Sequence, residues 1–174
     1  MAQGVLLHIC CGPCSLYCID ELQKEFCGQI TGCYANPNIH PYDEFMRRKG
    51  STIQACKVKG IPLITEENYD IQSWKAWESL RAERCEMCYT VRAELSAKKA
   101  AELGLDYYTS TLFVSPYQNH SLMKEIFYRE GKKYGVKFLY KDFREGFREG
   151  QMQARTLGLY RQKYCGCIKS LYGE

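Results

Sequence analysis

The chain has 174 residues, 45% hydrophobic and 25% charged, with a formal charge of +4. That is enough length and apolar content for one globular, soluble domain with a real core. No apolar run approaches the roughly 20 residues of a membrane span, and the N-terminus lacks the basic stretch and apolar run of a secretion signal. The expected location is therefore the cytoplasm, with no membrane association.

In chain order, residues 4–11 (GVLLHICC) read as a buried first strand: a short apolar run closed by Gly12 and Pro13. Residues 14–26 have helical periodicity, with Leu16, Ile19, Leu22 and Phe26 on one side. A second strand is expected over 29–36. A polar turn (NPNIHP) follows, in which Pro37 and Pro41 forbid regular structure. A helix over 42–60 and a third strand over 61–67 come next. Residues 81–104 are rich in helix formers and close on Glu-Leu-Gly. A fourth strand is expected over 106–115, a helix over 116–135, a fifth strand over 136–144 and a basic helical segment to the C-terminus. Strands alternating with helices favour a parallel, doubly wound α/β sandwich, here a single domain over residues 1–174. In such sheets ligands sit beyond the carboxyl ends of the strands, where the opening cysteines fall.

Eleven cysteines is an excess for a chain of this length. A secreted disulfide scaffold is usually short and loop-rich, and an odd count leaves one thiol over. Metal or redox chemistry is the better expectation. The cysteines form three clusters: Cys10, Cys11 and Cys14; Cys85 and Cys88; Cys165 and Cys167. Spacing i, i+3 puts Cys85 and Cys88 on one helix face, and Gly166 lets the backbone turn tightly between Cys165 and Cys167. Seven thiols are one more than a binuclear zinc cluster uses. They also divide into four for an iron–sulfur cubane and three for a second metal with an open position. Strand alternation would turn Cys10 and Cys11 to opposite sides, toward two adjacent centres. Cys18, Cys27, Cys33 and Cys56 read as small core residues, and His8 and His40 as structural. Two alternatives stay open: a zinc-stabilised nucleic-acid-binding module without catalysis, and a thiol–disulfide oxidoreductase using the Cys11-Gly-Pro-Cys14 motif.

Between Lys132 and Lys163 there are nine basic and three acidic residues, interleaved with six aromatic ones. That pattern suits a nucleic acid, with cations on phosphates and rings against bases. Its plainer reading is a solvated face over a core.

The chain resembles the cobalamin-independent epoxyqueuosine reductases. The resemblance is carried by LLHICCGPCS, YANPNIHPYDEFMRR, ERCEMCYTVRAELSAKKAAELG, TSTLFVSPYQN, KDFREGF and LYRQKYCGC, in order along nearly the whole chain. It implies an α/β fold of the nucleotide alpha-hydrolase type. It also implies a 4Fe-4S cluster beside a second, mononuclear iron. The implied activity is the last step of tRNA queuosine synthesis, removal of the epoxide oxygen from a cyclopentane ring to leave the alkene. Members of that fold that use ATP cradle phosphates in a Gly/Ser-rich loop after strand 1. Here that loop is filled with thiols, so ATP use is not expected.

On this reading Cys10, Cys85, Cys88 and Cys165 hold the cluster, and Cys11, Cys14 and Cys167 the second iron. The assignment of Cys165 and Cys167 between the two is open. Asp142, at the expected carboxyl end of strand 5, is the candidate general acid or orienter, and Tyr117 the other candidate catalytic residue. Asn36, Asn38 and Gln118, with Arg144 and Arg161, are candidate substrate contacts for a flipped base and its tRNA. Electrons would come from an external low-potential donor such as a ferredoxin or flavodoxin.

Overall fold

A computed structural model describes residues 3–173; Met1, Ala2 and Glu174, the ends of the expected domain, lie outside the described residues. Five parallel strands form one sheet in the order β3-β2-β1-β4-β5. They are β1 (Gly4–His8), β2 (Gln29–Tyr34), β3 (Leu63–Thr65), β4 (Tyr107–Ser110) and β5 (Lys137–Phe138). β1 is central and entirely buried, as the continuous apolar run requires. Helices α1 (Gly12–Glu25), α2 (Tyr42–Lys59), α3 (Gln72–Lys75), α4 (Arg81–Glu102), α5 (His120–Tyr134), α6 (Phe147–Thr156) and α7 (Ile168–Leu171) connect and flank the strands. α1 packs on α2 and α6, and α4 on α5. Right-handed crossovers place these two groups on opposite faces of the sheet. The expected doubly wound α/β fold is the observed one. No helix among the described residues is long and apolar enough to cross a membrane.

Several elements are shorter than the sequence pattern. β1 ends at His8, so Cys10 and Cys11 lie beyond the ladder. β4 gives way after Ser110 to a 3-10 turn, Thr111–Val114, whose apolar residues are buried without being extended. β5 pairs over two residues only. The 116–135 helix begins at His120, because the Asn119 side chain accepts from the Leu122 N–H and caps it there. In the C-terminal segment, α6 and the four-residue α7 are separated by irregular chain. Cys18, Cys33 and Cys56 are core residues, but Cys27 is exposed just past the end of α1.

The sheet order reverses direction between β1 and β4, and a crevice opens at that point beyond their carboxyl ends. The β1–α1 turn enters it at fixed height because Gly12 packs directly on α2. Its N–H donates to Ser51 Oγ at 3.1 Å, and a Cβ at this position would lie 2.5 Å from the Ser51 carbonyl oxygen. A methyl group here must push α1 off α2, taking Cys11 and Cys14 with it. Gly12→Ala is expected to destabilise the protein by about 1–3 kcal/mol. Urea unfolding checks this; an unchanged midpoint would mean that the α1–α2 contact yields freely.

Candidate metal centre

Cys10, Cys11 and Cys14 converge at the start of α1. Their Sγ atoms all lie within 4.8 Å of one another, and Cys10 and Cys11 Sγ are 3.9 Å apart. The expectation that strand alternation separates Cys10 from Cys11 fails because the strand has already ended. Cys11 is the N-cap residue of α1, in an extended conformation that folds its side chain back beside Cys10. Cys10 is fixed from the β4 side, its N–H donating to Thr111 Oγ1 at 3.1 Å. Hydrogen bonds from the Cys11 and Cys14 thiols hold the Cys10 thiol well below its ordinary pKa. The same contacts, and burial, push Cys14 and Cys11 up.

Cys85 and Cys88 lie in the first two turns of α4, and Cys165 and Cys167 in the loop before α7. Gly166 sits at φ +129°, a conformation L side chains rarely adopt, and a Cβ there would come within 3.1 Å of an Arg48 nitrogen. The turn therefore needs this glycine. The Cys167 thiol draws the Cys165 pKa down, and Cys165 raises that of Cys167.

A cavity of about 350 Å³ joins the clusters: Cys10, Cys14, Cys85, Cys88, Cys165 and Cys167 all line it. All eleven cysteines are free thiols. Clustered soft sulfur ligands without a hard-oxygen partner suit zinc or iron–sulfur centres rather than magnesium or calcium, so the donor set fits the expected group.

Three buried arginines also line the cavity: Arg48, Arg84 and Arg92, each at most 5% exposed. Sequence reading passed over them, because arginine is ordinarily a surface residue. The signal was the spacing: Arg84, Cys88 and Arg92 recur every four residues along one face of α4. Arg92 donates to the Cys88 carbonyl at 3.3 Å. Burial opposes its charge, and the sulfurs of Cys88 and Cys10 outweigh that and keep it cationic. Arg48 is clamped by Glu44 Oε1 at 2.8 Å and donates to the carbonyls of Tyr164 at 2.8 Å and Cys165 at 3.1 Å.

The other expected site residues divide. Asn38, Tyr117 and Gln118 line the cavity. Asn38 is buried, and its Oδ1 has no partner. Tyr117 is 83% exposed at the rim, edge-on to Phe147. Gln118 Oε1 accepts from the Tyr89 hydroxyl at 2.5 Å. Asn36 is not among the lining residues. It is fully buried, donating to the Ile9 carbonyl at 2.8 Å and accepting from His8 Nε2 at 3.0 Å, and so braces the ends of β1 and β2. His40 is structural too: its Nδ1 accepts from the Ile168 N–H and its Nε2 faces the carbonyls of Pro37 and Asp70. Asp142 and Arg144 do not line the cavity either. They pair with each other on the surface at 2.6 Å, and the Arg144 guanidinium beside Asp142 lowers its pKa to about 2. A carboxyl held that low is ionised at neutral pH and cannot serve as the general acid expected of it. Arg161 is exposed outside the cavity lining, whereas its neighbours Gln162, Lys163 and Tyr164 line it.

Comparison with known proteins identifies the family. The family model described as epoxyqueuosine reductase QueH matches residues 5–172. Relatives of that name include one from Dehalococcoides mccartyi, 35% identical over 99% of this chain and 94% of its own length. Another, from Thermotoga maritima, is 34% identical over 96% and 90%, and one from Streptococcus pyogenes is 33% identical over 95% and 69%. Among solved structures, the U34-tRNA thiolase NcsA from Methanococcus maripaludis, with its 4Fe-4S cluster, superposes at a TM-score of 0.61. It is 16% identical, and the match covers 97% of this chain and 61% of the thiolase, a likeness of fold. With a family match that leaves out only a few residues at each end, and relatives alike over nearly its whole length, this chain belongs to the epoxyqueuosine reductase QueH family of oxidoreductases.

Proposed function

We propose that this chain reduces epoxyqueuosine in tRNA to queuosine at the thiol-lined cavity. The observation that carries the reading is the opening of six of the seven anticipated ligand thiols onto one cavity beside the crevice of the sheet. The reaction takes two electrons and two protons, and gives the alkene and one water. Cys10, Cys85, Cys88 and Cys165 would hold a 4Fe-4S cluster, and Cys11, Cys14 and Cys167 a second iron. Lining the cavity does not divide the two sets, since Cys14 and Cys167 line it together with Cys10, Cys85, Cys88 and Cys165; the division follows the resemblance and is what substitution of Cys14 and Cys88 tests. Together the two groups would supply the electrons and the Lewis acidity that epoxide deoxygenation needs.

The protein's own residues do the rest. Arg92, cationic and buried among the sulfurs, offsets their negative charge. Asn38 and Gln118 present amides to the substrate, and Tyr117 closes the rim against Phe147. Tyr117, whose hydroxyl is an O–H donor at the cavity, remains the candidate for delivering a proton to the departing oxygen. Electrons reach the site from an external low-potential donor of the ferredoxin or flavodoxin kind. A cytoplasmic location keeps the thiols reduced.

The tRNA lies across α6. Phe147 and Gln151 of that helix line the cavity. Arg148 and Arg155, seven residues apart, share an exposed face beside them and form no ion pair among the described residues. Much of the remaining basic charge is taken up: Lys133 pairs with Glu94, Lys141 with Glu25 and Arg144 with Asp142. Reversing Arg148 and Arg155 together to Glu is expected to weaken binding to tRNAs regardless of anticodon, and to flatten its dependence on salt. Filter binding at two salt concentrations measures this; unchanged affinity at low salt would assign the face to solvent.

The function itself is tested by incubating anaerobically reconstituted, reduced protein with tRNA carrying epoxyqueuosine and digesting it to nucleosides. Queuosine should appear as epoxyqueuosine disappears. Epoxyqueuosine left intact, with the cluster present and reduced, would contradict the reading.

A further inference from the structure

Gln162 connects the sulfur site to the cavity in a way that neither its neighbours nor the motif around it explains. Its Nε2 donates to Cys14 Sγ at 3.6 Å. A metal-bound thiolate carries no proton, so only the NH₂ end of the amide can face it. The orientation of the amide is thereby set, and its Oε1 is directed away from Cys14. That oxygen is buried and has no hydrogen-bond partner, although the side chain lines the cavity. Asn38, 2% exposed, leaves its Oδ1 in the same condition in the same cavity. Buried acceptors are ordinarily satisfied. Two such acceptors on side chains that line one cavity point to a ligand that brings hydrogen-bond donors.

We propose that Gln162 is a substrate-positioning residue. Its Oε1 accepts a hydroxyl or amine hydrogen on or beside the epoxide-bearing ring, while its Nε2 holds Cys14, so that one amide ties the ring to a ligand of the second iron. Asn38 Oδ1 takes a further donor of the same group. The inference rests on the reading of the cavity as the epoxyqueuosine site. It adds what that reading leaves open: which side chain fixes the ring relative to the sulfurs.

The test compares equilibrium binding of two forms of one tRNA, carrying epoxyqueuosine or unmodified guanine, to anaerobically reconstituted protein. Gln162→Met keeps the length of the side chain and removes both polar ends. It should lower affinity for the epoxyqueuosine form about tenfold, the loss of one buried hydrogen bond, and leave the guanine form unchanged. Iron content should stay at the wild-type level. Gln162→Glu keeps an acceptor oxygen at the same reach and should retain most of the preference, which also carries the test should the Met variant lose iron. Equal weakening of both tRNA forms by Gln162→Met, or an undiminished preference, overturns the proposal. So does a Glu variant that loses the preference as fully as the Met variant. If wild-type protein itself shows no preference, the assignment of the cavity fails and the role of Gln162 fails with it, a result distinct from one confined to the variants.

Discussion

Cys14→Ala is expected to abolish epoxide reduction while leaving the protein brown. Cys14 lies at the start of α1; its neighbours Cys10 and Cys11, and burial, push its thiol pKa up, so its proton would leave as a metal binds. Its Sγ is within 4.8 Å of Cys10 and Cys11, and the Gln162 amide donates to it. If Cys11, Cys14 and Cys167 hold the second iron, removing Cys14 empties that position and spares the four sulfurs of the cubane. The variant should retain the cluster's EPR signal on reduction, lose about one iron per chain and produce no queuosine. Cys88→Ala should behave differently, with bleaching and loss of the cluster. The closeness of Cys10 to Cys14 makes the comparison decisive. Bleaching of Cys14→Ala would move Cys14 into the cluster set, and intact turnover would remove it from the ligands.

The second large effect is on stability. Arg48 and Glu44 form an ion pair with both side chains at most 4% exposed. The Tyr160 hydroxyl completes the carboxylate at 2.5 Å, and the Arg48 guanidinium also holds the Tyr164 and Cys165 carbonyls and lies over the Tyr164 ring. Arg48→Met leaves Glu44 buried without its cation and frees the loop that carries Cys165 and Cys167. A loss of about 3–5 kcal/mol is expected, accompanied by reduced iron content. Adding Glu44→Gln should recover a good part of the stability, because the stranded charge is gone, but less of the iron, because the loop carbonyls remain unheld. Denaturant unfolding of the single and double variants measures the first, and iron assay the second. A single variant within 1 kcal/mol of wild type would show that the pair contributes little.

What could be seen in the amino-acid order follows from what each signal measures. The apolar run of β1, the alternation of strands with long helices and the glycine stops are local, and they led to the observed fold. The cysteine clusters were visible because seven thiols in three short motifs have few other uses. Their common cavity also follows from topology, since the β1–α1 turn lies at the sheet's crevice. Other features depend on where the chain leaves the ladder. Cys10 and Cys11 come together because β1 stops three residues earlier than its apolar pattern. Asp142 lies away from the cavity because β5 ends four residues before it. Asn36, placed among the substrate contacts, is instead consumed by His8 and Ile9, partners about 28 residues away that no local pattern announces. The buried arginines escaped for the opposite reason: their sequence context is that of a charged surface helix, and their burial is offset by sulfurs across the cavity for Arg92 and by Glu44 and the Tyr164 and Cys165 carbonyls for Arg48.

Two iron centres on the seven thiols and one closed zinc site lead to opposite results. Mössbauer spectroscopy of protein reconstituted anaerobically with iron-57 and sulfide, paired with a count of metal per chain, distinguishes them most directly. Two iron centres require about five irons and four sulfides per chain, the spectrum of a 4Fe-4S cluster and a separate high-spin ferrous component. Zinc alone, retained after the same reconstitution in a colourless, folded protein, would contradict them.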